Sequence, residues 1–329
     1  MSDSHTATGY GLVLRHSTDD DVPEMLDLAQ RGFAHVTGRL PHWSEAGLRR
    51  MRHVPGRDAG RDFPVVTRDG AVVAWGGVFA NAPYSETFVP IHPSPDLDPD
   101  DLARTVELLV AHAAGVVRGI LADEPHDATR TLATEIVVGW QTLVGAAERV
   151  GFACDRHEYE MGIELDPSTA PPVWPDGVRR EPLHGPQDAA TVTAVLDASF
   201  GEHPGDLPFS LEMIEHVLGS DDFDAHASAI AYDDDGPVGV VLSRGRTEAG
   251  YVWVVGVDPR WRRRGLGAAL LTHAFHAYAT TGRTLVTLDV DGANDSGALV
   301  VYERAGMSVR TENHVMLMPL DAVPATVDA

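Results

Sequence analysis

The sequence contains no lysine: all 25 basic residues are arginine, set against 49 aspartates and glutamates in 329 residues. This absence excludes mechanisms built on an ammonium side chain: the phosphate-gripping lysine of a Walker P-loop, the strand lysine of protein kinases, and the Schiff-base lysine of pyridoxal enzymes and aldolases. A formal net charge of -24 argues against nucleic-acid binding, which draws its affinity from cations clustered at phosphates. It inclines any substrate preference toward cations, although a GC-rich or salt-adapted genome yields the same bias. Cysteine is also scarce. The single Cys154 excludes a disulfide framework and a cysteine-based zinc site, and it suits a reducing compartment. No long apolar run occurs: the stretch from Val106 to Ala122 is broken by Glu107, His112 and Arg118, so it reads as an amphipathic helix and not a membrane span. The opening residues MSDSHTATGYG carry neither the basic nor the apolar region of a secretory signal. The expectation is a cytoplasmic monomer or homodimer with no nucleic-acid or membrane partner and no metal.

What is present suffices for a core, since 43% of residues are hydrophobic and 22% charged, and the length suggests two domains. A proline-rich segment, Asp166 to Gly177, interrupts the periodic patterns near mid-chain and suits a semi-rigid linker. The same order of elements is predicted on each side of it. In the second half this order is a strand (Val178 to Leu183), a helix (Gln187 to Phe200), a further helix (Leu207 to Leu218) and three strands (Ser228 to Tyr232, Val238 to Arg244, Tyr251 to Val257). A long helix continues from Ala268, followed by a strand (Leu285 to Val290), a short helix (Gly297 to Ala305) and a last strand (Val315 to Leu320). The first half gives Leu12 to Leu14, Val22 to Phe33, Ser44 to Arg52, a hairpin of Phe63 to Thr67 with Val72 to Phe79, and Phe88 to Ile91. It continues with Leu102 to Arg118, Leu132 to Val138, Thr142 to Val150 and Tyr159 to Leu165. Two echoes support a repeat: Glu148-Arg-Val-Gly-Phe152 matches Glu303-Arg-Ala-Gly-Met307, and Ile91-His-Pro93 matches Val257-Asp-Pro259. A repeat of this size implies duplicated domains, expected at 1-165 and 177-329 with the linker at 166-176.

The stretch Val252 to Ala268 carries the chemistry. A strand that ends, turns through two glycines and opens a helix presents backbone N–H groups without intrahelical partners, and the helix dipole adds positive potential there. Gly265 and Gly267 let the backbone approach a pyrophosphate with no Cβ in the way, and Arg262, Arg263 and Arg264 add local positive charge. The ligand expected here is a phosphorylated cofactor. A dinucleotide fingerprint would need a third glycine where Leu270 stands, so NAD and FAD are disfavoured.

These residues resemble the acyl-CoA-binding motif of the GCN5-related N-acetyltransferases (GNAT), through Arg262-x-x-Gly265-x-Gly267 and then Asn294 and Tyr302-Glu-Arg-Ala-Gly-Met307 at family spacing. The resemblance implies an α/β fold, each domain a mostly antiparallel twisted mixed sheet flanked by helices. It implies acetyl-CoA as co-substrate and transfer of its acetyl group to a primary amine of a small molecule. Val255, Gly256 and Val257 would meet the pantetheine arm, the main chain of Val255 and Val257 bonding it like an added strand. The loop of Arg262, Arg263, Arg264, Gly265, Leu266, Gly267 and Ala268 would hold the pyrophosphate, and Asn294 would contact the cofactor from the following loop. Tyr302 would sit at the thioester sulfur, where a phenol with an ordinary pKa of about 10 can protonate the departing thiolate. The base stays open among Glu202, His203, Glu248 and a water relay.

In the first half Ala147 stands where Tyr302 does, Gly139 falls against Asn294, and four acids, Asp96, Asp98, Asp100 and Asp101, occupy the loop. This half is expected to be a degenerate copy. Tandem architecture with one working copy resembles the mycothiol synthases of actinobacteria, in which an acidic residue stands on the central strand where this chain has Tyr251. A mycothiol synthase proper and a non-catalytic acyl-CoA-binding sensor are the alternatives. A hydrolase is disfavoured because no Gly-x-Ser-x-Gly occurs and Cys154 has no matched partners in sequence. The 16 histidines form no His-Glu-x-x-His pattern; His273 and His276 read as surface residues of the cofactor helix.

Overall fold

The computed structural model describes residues 5–6, 11–41, 43–54, 56–80, 85–123, 130–201, 209–245, 249–292 and 298–324. The chain divides into two units, Met1–Glu158 with Thr311–Ala329, and Tyr159–Arg310. This differs from a division at the proline-rich segment, because the chain's final strand belongs to the first unit and the strand before the linker ends in the second.

Unit 1 opens with β1 (His5–Thr6), β2 (Leu12–Arg15), α1 (Val22–Thr37), α2 (Glu45–Arg52), β3 (Val65–Arg68) and β4 (Ala71–Gly76). Then follow β5 (Phe79–Ala80), β6 (Glu86–Phe88), β7 (Ile91–Pro93), α3 (Pro99–Ile120), β8 (Thr131–Val137), α4 (Gln141–Val150) and the start of β9 (Ala153–Glu164). One sheet runs β1-β2-β3-β4-β7. The single strand expected at Phe88 to Ile91 is two strands, because Pro90 between them has no N–H for a ladder.

Unit 2 comprises the remainder of β9, then β10 (Arg179–Pro182), α5 (Ala189–Phe200), α6 (Leu211–Leu218), β11 (Ala229–Tyr232), β12 (Pro237–Gly245) and β13 (Gly250–Val257). It closes with α7 (Leu266–Thr280), β14 (Leu285–Asp291), α8 (Ala298–Arg304) and the start of β15 (Ser308–Pro319). The rest of β15 pairs antiparallel with β8 in unit 1, from Asn313 opposite Val137 to Pro319 opposite Thr131. Both β9 and β15 begin six or seven residues before the expected Tyr159 and Val315, because their first halves are polar and partly exposed. Apolar alternation could not mark them.

In unit 2 the sheet order is β10-β11-β12-β13-β14. Neighbours are antiparallel up to β13, and β14 then joins parallel to β13 after the helical crossover through α7, as parallel pairing requires. Leu270, Leu271, Ala274, Phe275 and Tyr278 of α7 are buried against Val241, Val252, Val286 and Leu288 of the sheet. Burying each of the two leucines contributes about 1.5–3 kcal/mol. On the other face α5 and α6 cover Val240 and Leu242.

The proline-rich segment lies on α7. Trp174 packs against its core and its ring centroid is 6.1 Å from that of His273, while the Thr169 carbonyl lies 2.8 Å from His276 Nδ1. This corrects the surface reading of the two histidines. His273 is buried, and desolvation lowers its pKa to about 4, so it is neutral at physiological pH.

The repeat is visible in detail. The Phe152 amide donates to the Ala147 carbonyl, and the Met307 amide donates to the Tyr302 carbonyl, each at the end of a short helix closed by a left-handed glycine, Gly151 or Gly306. These are Schellman-type closures, and they put Ala147 and Tyr302 at equivalent positions.

Candidate active site

The site begins where two strands part. β13 and β14 pair only at Gly250 with Val286 and Tyr251 with Thr287. From Val252 to Val257, β13 is paired on its β12 side and has no register partner on β14. Since the Asp258 amide donates to Val238 on β12, strand alternation turns the amides of Val257 and Val255 toward the opened side. Gly256 differs: its amide faces β12, and a Cβ there would lie 3.0 Å from Ser199 Oγ and 3.1 Å from Leu196 Cδ2. Close approach of α5 accounts for this glycine.

A bulge reinforces the parting. The register of β12 on β13 slips between Leu242 and Ser243, which oppose Val254 and Val252 and leave Trp253 as the extra residue. Trp253 and Val254 consequently both pack on the α5 and α6 side, while Val255 and Val257 pack with α7, Trp261 and Tyr302. A bulge re-aims side chains in this way and often sits beside a site.

The strand then feeds a turn, Pro259–Trp261, and the loop before α7. Three side chains pin it. Trp261 Nε1 donates to Asp233 at 2.7 Å, Arg262 donates to the Ser199 carbonyl at 2.7 Å, and Asp258 accepts from the Arg260 amide at 2.8 Å and from its guanidinium. The Arg260 guanidinium keeps the Asp258 carboxyl below its ordinary pKa, and the Trp261 indole does the same for Asp233. Arg262 thus braces the loop against the end of α5. Arg263 and Arg264 are exposed, the latter lying 5.3 Å over the Trp261 ring.

Arg263 (φ 60°) and Gly265 (φ 86°) are both left-handed, and for arginine this costs about 1 kcal/mol. Alternating conformations of this kind turn successive amides inward as an anion nest. α7 starts at Gly265 with no side-chain cap, and the first amide bonded within the helix is that of Ala269, to the Gly265 carbonyl. The amides of Leu266, Gly267 and Ala268 therefore have no intrahelical acceptor. Gly267 is not explained by packing, since a Cβ there would sit 3.7 Å from Val301 and 3.8 Å from Val257, at ordinary contact distance. An open cradle of amides with a glycine at its rim can hold a phosphate group.

Tyr302, on α8, packs against the same apolar cluster as Val255, Val257 and Trp261. Burial pushes its phenol above the ordinary value, so it stays protonated at neutral pH. On the opposite face of the sheet, the Tyr251 hydroxyl donates to Asp289 of β14 at 2.9 Å, next to the point of parting. Sequence reasoning missed Asp289; the alternation of Val286, Leu288 and Val290 into the core is the signal that would have turned it to that face. Asn294, Glu202, His203 and Glu248 lie outside the described residues.

A strand-edge opening, an anion nest at a helix N-terminus and a half-buried tyrosine thus lie together in an α/β fold. Residues 193–307, within the second unit, match the acetyltransferase (GNAT) family. It is 36% identical over 135 residues to a mycothiol acetyltransferase of Gordonia bronchialis, covering 40% of this chain and 44% of the relative; the match thus spans about half the length of that relative. The fold of the whole chain is similar to a GCN5-related N-acetyltransferase from Sphaerobacter thermophilus (TM-score 0.82, 23% identity, 97% of this chain and 98% of the other). It is also similar to a tandem GNAT protein from the clavulanic acid biosynthesis pathway (TM-score 0.68, 15% identity, 94% and 98%). No described helix is long and apolar enough to cross a membrane.

Proposed function

We propose that the chain is an acetyl-CoA-dependent N-acetyltransferase acting on a primary amine of a small molecule in the cytoplasm, with the chemistry confined to unit 2. The observation that carries this reading is the uncapped N-terminus of α7 beside the unpaired edge of β13. The amides of Arg263 to Ala268 hold the pyrophosphate, with Arg263 and Arg264 adding charge, and the Val255 and Val257 main chain aligns the pantetheine as an extra strand. Asn294 contacts the cofactor from the next loop. This fixes the thioester between the two faces of the sheet.

The amine attacks the thioester carbonyl directly. A C–N bond forms, the C–S bond breaks, and the thiolate takes the proton of Tyr302, which solvent restores. On the acceptor face the nucleophile must lose a proton, and Asp289, oriented by the Tyr251 hydroxyl, receives it. A carboxylate reached through Tyr251 offsets the missing acid on β13, so an acceptor of the mycothiol-precursor type stays within this reading. Glu202, His203, Glu248 and water are the other proton acceptors.

Unit 1 is proposed to bind no CoA. At the N-terminus of α3 the Asp98 carboxylate accepts from the amides of Asp100 and Asp101, both at 3.0 Å, and Pro99 removes a donor. Mass spectrometry of products from an amine panel, with acetyl-CoA and succinyl-CoA compared, tests the reading. Acetylated product supports it; CoA binding without transfer to any amine would favour the sensor.

A further inference from the structure

Unit 1 holds a cluster that the acyl-transfer chemistry does not use. Cys154 and His157 stand on β9, and His314 and Glu312 on its neighbour β15. Cys154 Sγ lies 3.5 Å from His314 Nδ1, and the His157 and His314 ring centroids are 4.8 Å apart. One donor atom from each of the three residues falls within 4.8 Å of the other two. His157 Nδ1 is 2.6 Å from a Glu312 carboxylate oxygen.

We propose that Cys154, His157 and His314 bind a borderline divalent transition cation, Zn2+, with the fourth position left to water. A tetrahedral zinc takes sulfur at about 2.3 Å and nitrogen at about 2.0–2.1 Å, which sets neighbouring donors about 3.5 Å apart, the separation already present between Cys154 and His314. The other edges close by rotation of side chains that are exposed or half-exposed. Glu312 engages Nδ1 of His157, which fixes the tautomer and presents Nε2 to the metal, the arrangement that orients histidine ligands in zinc sites.

The donor set selects the ion: one thiolate and two imidazoles disfavour Mg2+ and Ca2+, which take oxygen. A structural lone cysteine would be buried, whereas Cys154 is exposed. On binding, the Cys154 thiol releases its proton to solvent and the sulfur ligates as thiolate. The cation would clasp β15, the last strand of the chain, to β9. A single cysteine counted along the sequence hid this site, because its partner His314 lies 160 residues away.

Titration of tag-free, metal-stripped full-length protein with Co2+ tests the proposal. One equivalent should give the thiolate-to-cobalt charge-transfer band together with the intense visible bands of a tetrahedral ion, both displaced by Zn2+. Cys154→Ser should abolish the charge-transfer band. His157→Ala and His314→Ala should each weaken Zn2+ binding at least about tenfold, and Glu312→Gln about 10- to 100-fold. Zn2+ should raise the melting temperature of the wild type and leave that of Cys154→Ser unchanged. No charge-transfer band at saturating Co2+, or binding of equal affinity in the Cys154→Ser and His314→Ala variants, would overturn it and place any bound ion elsewhere among the histidines.

Discussion

Two helices that follow corresponding strands begin in opposite ways. α7 starts at a left-handed glycine with free amides and exposed arginines in front of it. α3 starts at Asp98, whose carboxylate fills the amide positions, and Asp101 beside it pairs with Arg68. Both ends carry the same partial positive charge from the helix dipole. The protein's own anion occupies one, and the other has no side-chain cap. The short helices differ likewise, with Tyr302 in unit 2 where unit 1 has the fully buried Ala147. On the proposed reading, duplication of the fold duplicates the scaffold and not the site.

The contrast can be tested by altering unit 2 toward unit 1. The largest effect is expected from Tyr302→Phe, with kcat falling about 100-fold or more, as for loss of a general acid, while the KM for acetyl-CoA changes less than threefold. Because burial raises the phenol's pKa, wild-type kcat should show no decline from its ionisation up to about pH 10. Unchanged turnover in this variant, measured by thiol release, would remove Tyr302 from the chemistry.

Gly267→Val comes next. The Cβ itself is accommodated, so the melting temperature should hold within a few degrees, while the added methyls cover the amides and weaken acetyl-CoA binding about tenfold or more. Equal losses of fold and binding would mean that the glycine serves packing after all. Asp289→Asn should lower kcat/KM for the amine about tenfold with acetyl-CoA affinity preserved; a loss confined to the acetyl-CoA KM would contradict its place on the acceptor face.

The smallest effect concerns unit 1. The Asp101 amide, followed by the Asp101 side chain and the Asp100 amide, holds the Asp98 carboxyl below its ordinary pKa. A carboxyl depressed in the folded state contributes stability that is complete above its unfolded value of about 3.9 and is lost as pH falls through the folded value. Asp98→Asn keeps an acceptor oxygen but does not titrate. Denaturant midpoints of the two proteins should differ most at neutral pH and converge as pH falls through the depressed folded value; a constant offset would show that the charge of Asp98 is not what fills this helix end.

Much of this contrast was legible in the sequence. The loop from Arg262 to Gly267, the helix after it and the two Gly-closed short helices announced themselves because glycine and periodic leucine have local causes. The turn of Gly256 toward α5 and the bracing role of Arg262 were not legible, since each depends on a helix more than 50 residues away in sequence, and Trp253's bulge was not, since it depends on the register of the neighbouring strand β12. The first halves of β9 and β15 were missed because their polar residues are held by neighbouring strands and carry no apolar period of their own. Asp289 and the Cys154 cluster were hidden for the same reason: they are juxtapositions across a sheet.

The most direct test is calorimetric titration of the full chain with acetyl-CoA. One equivalent per chain, abolished or strongly weakened by Gly267→Val, is the expected result. Two equivalents of similar affinity, or one equivalent that survives Gly267→Val unchanged, would contradict a single site in unit 2.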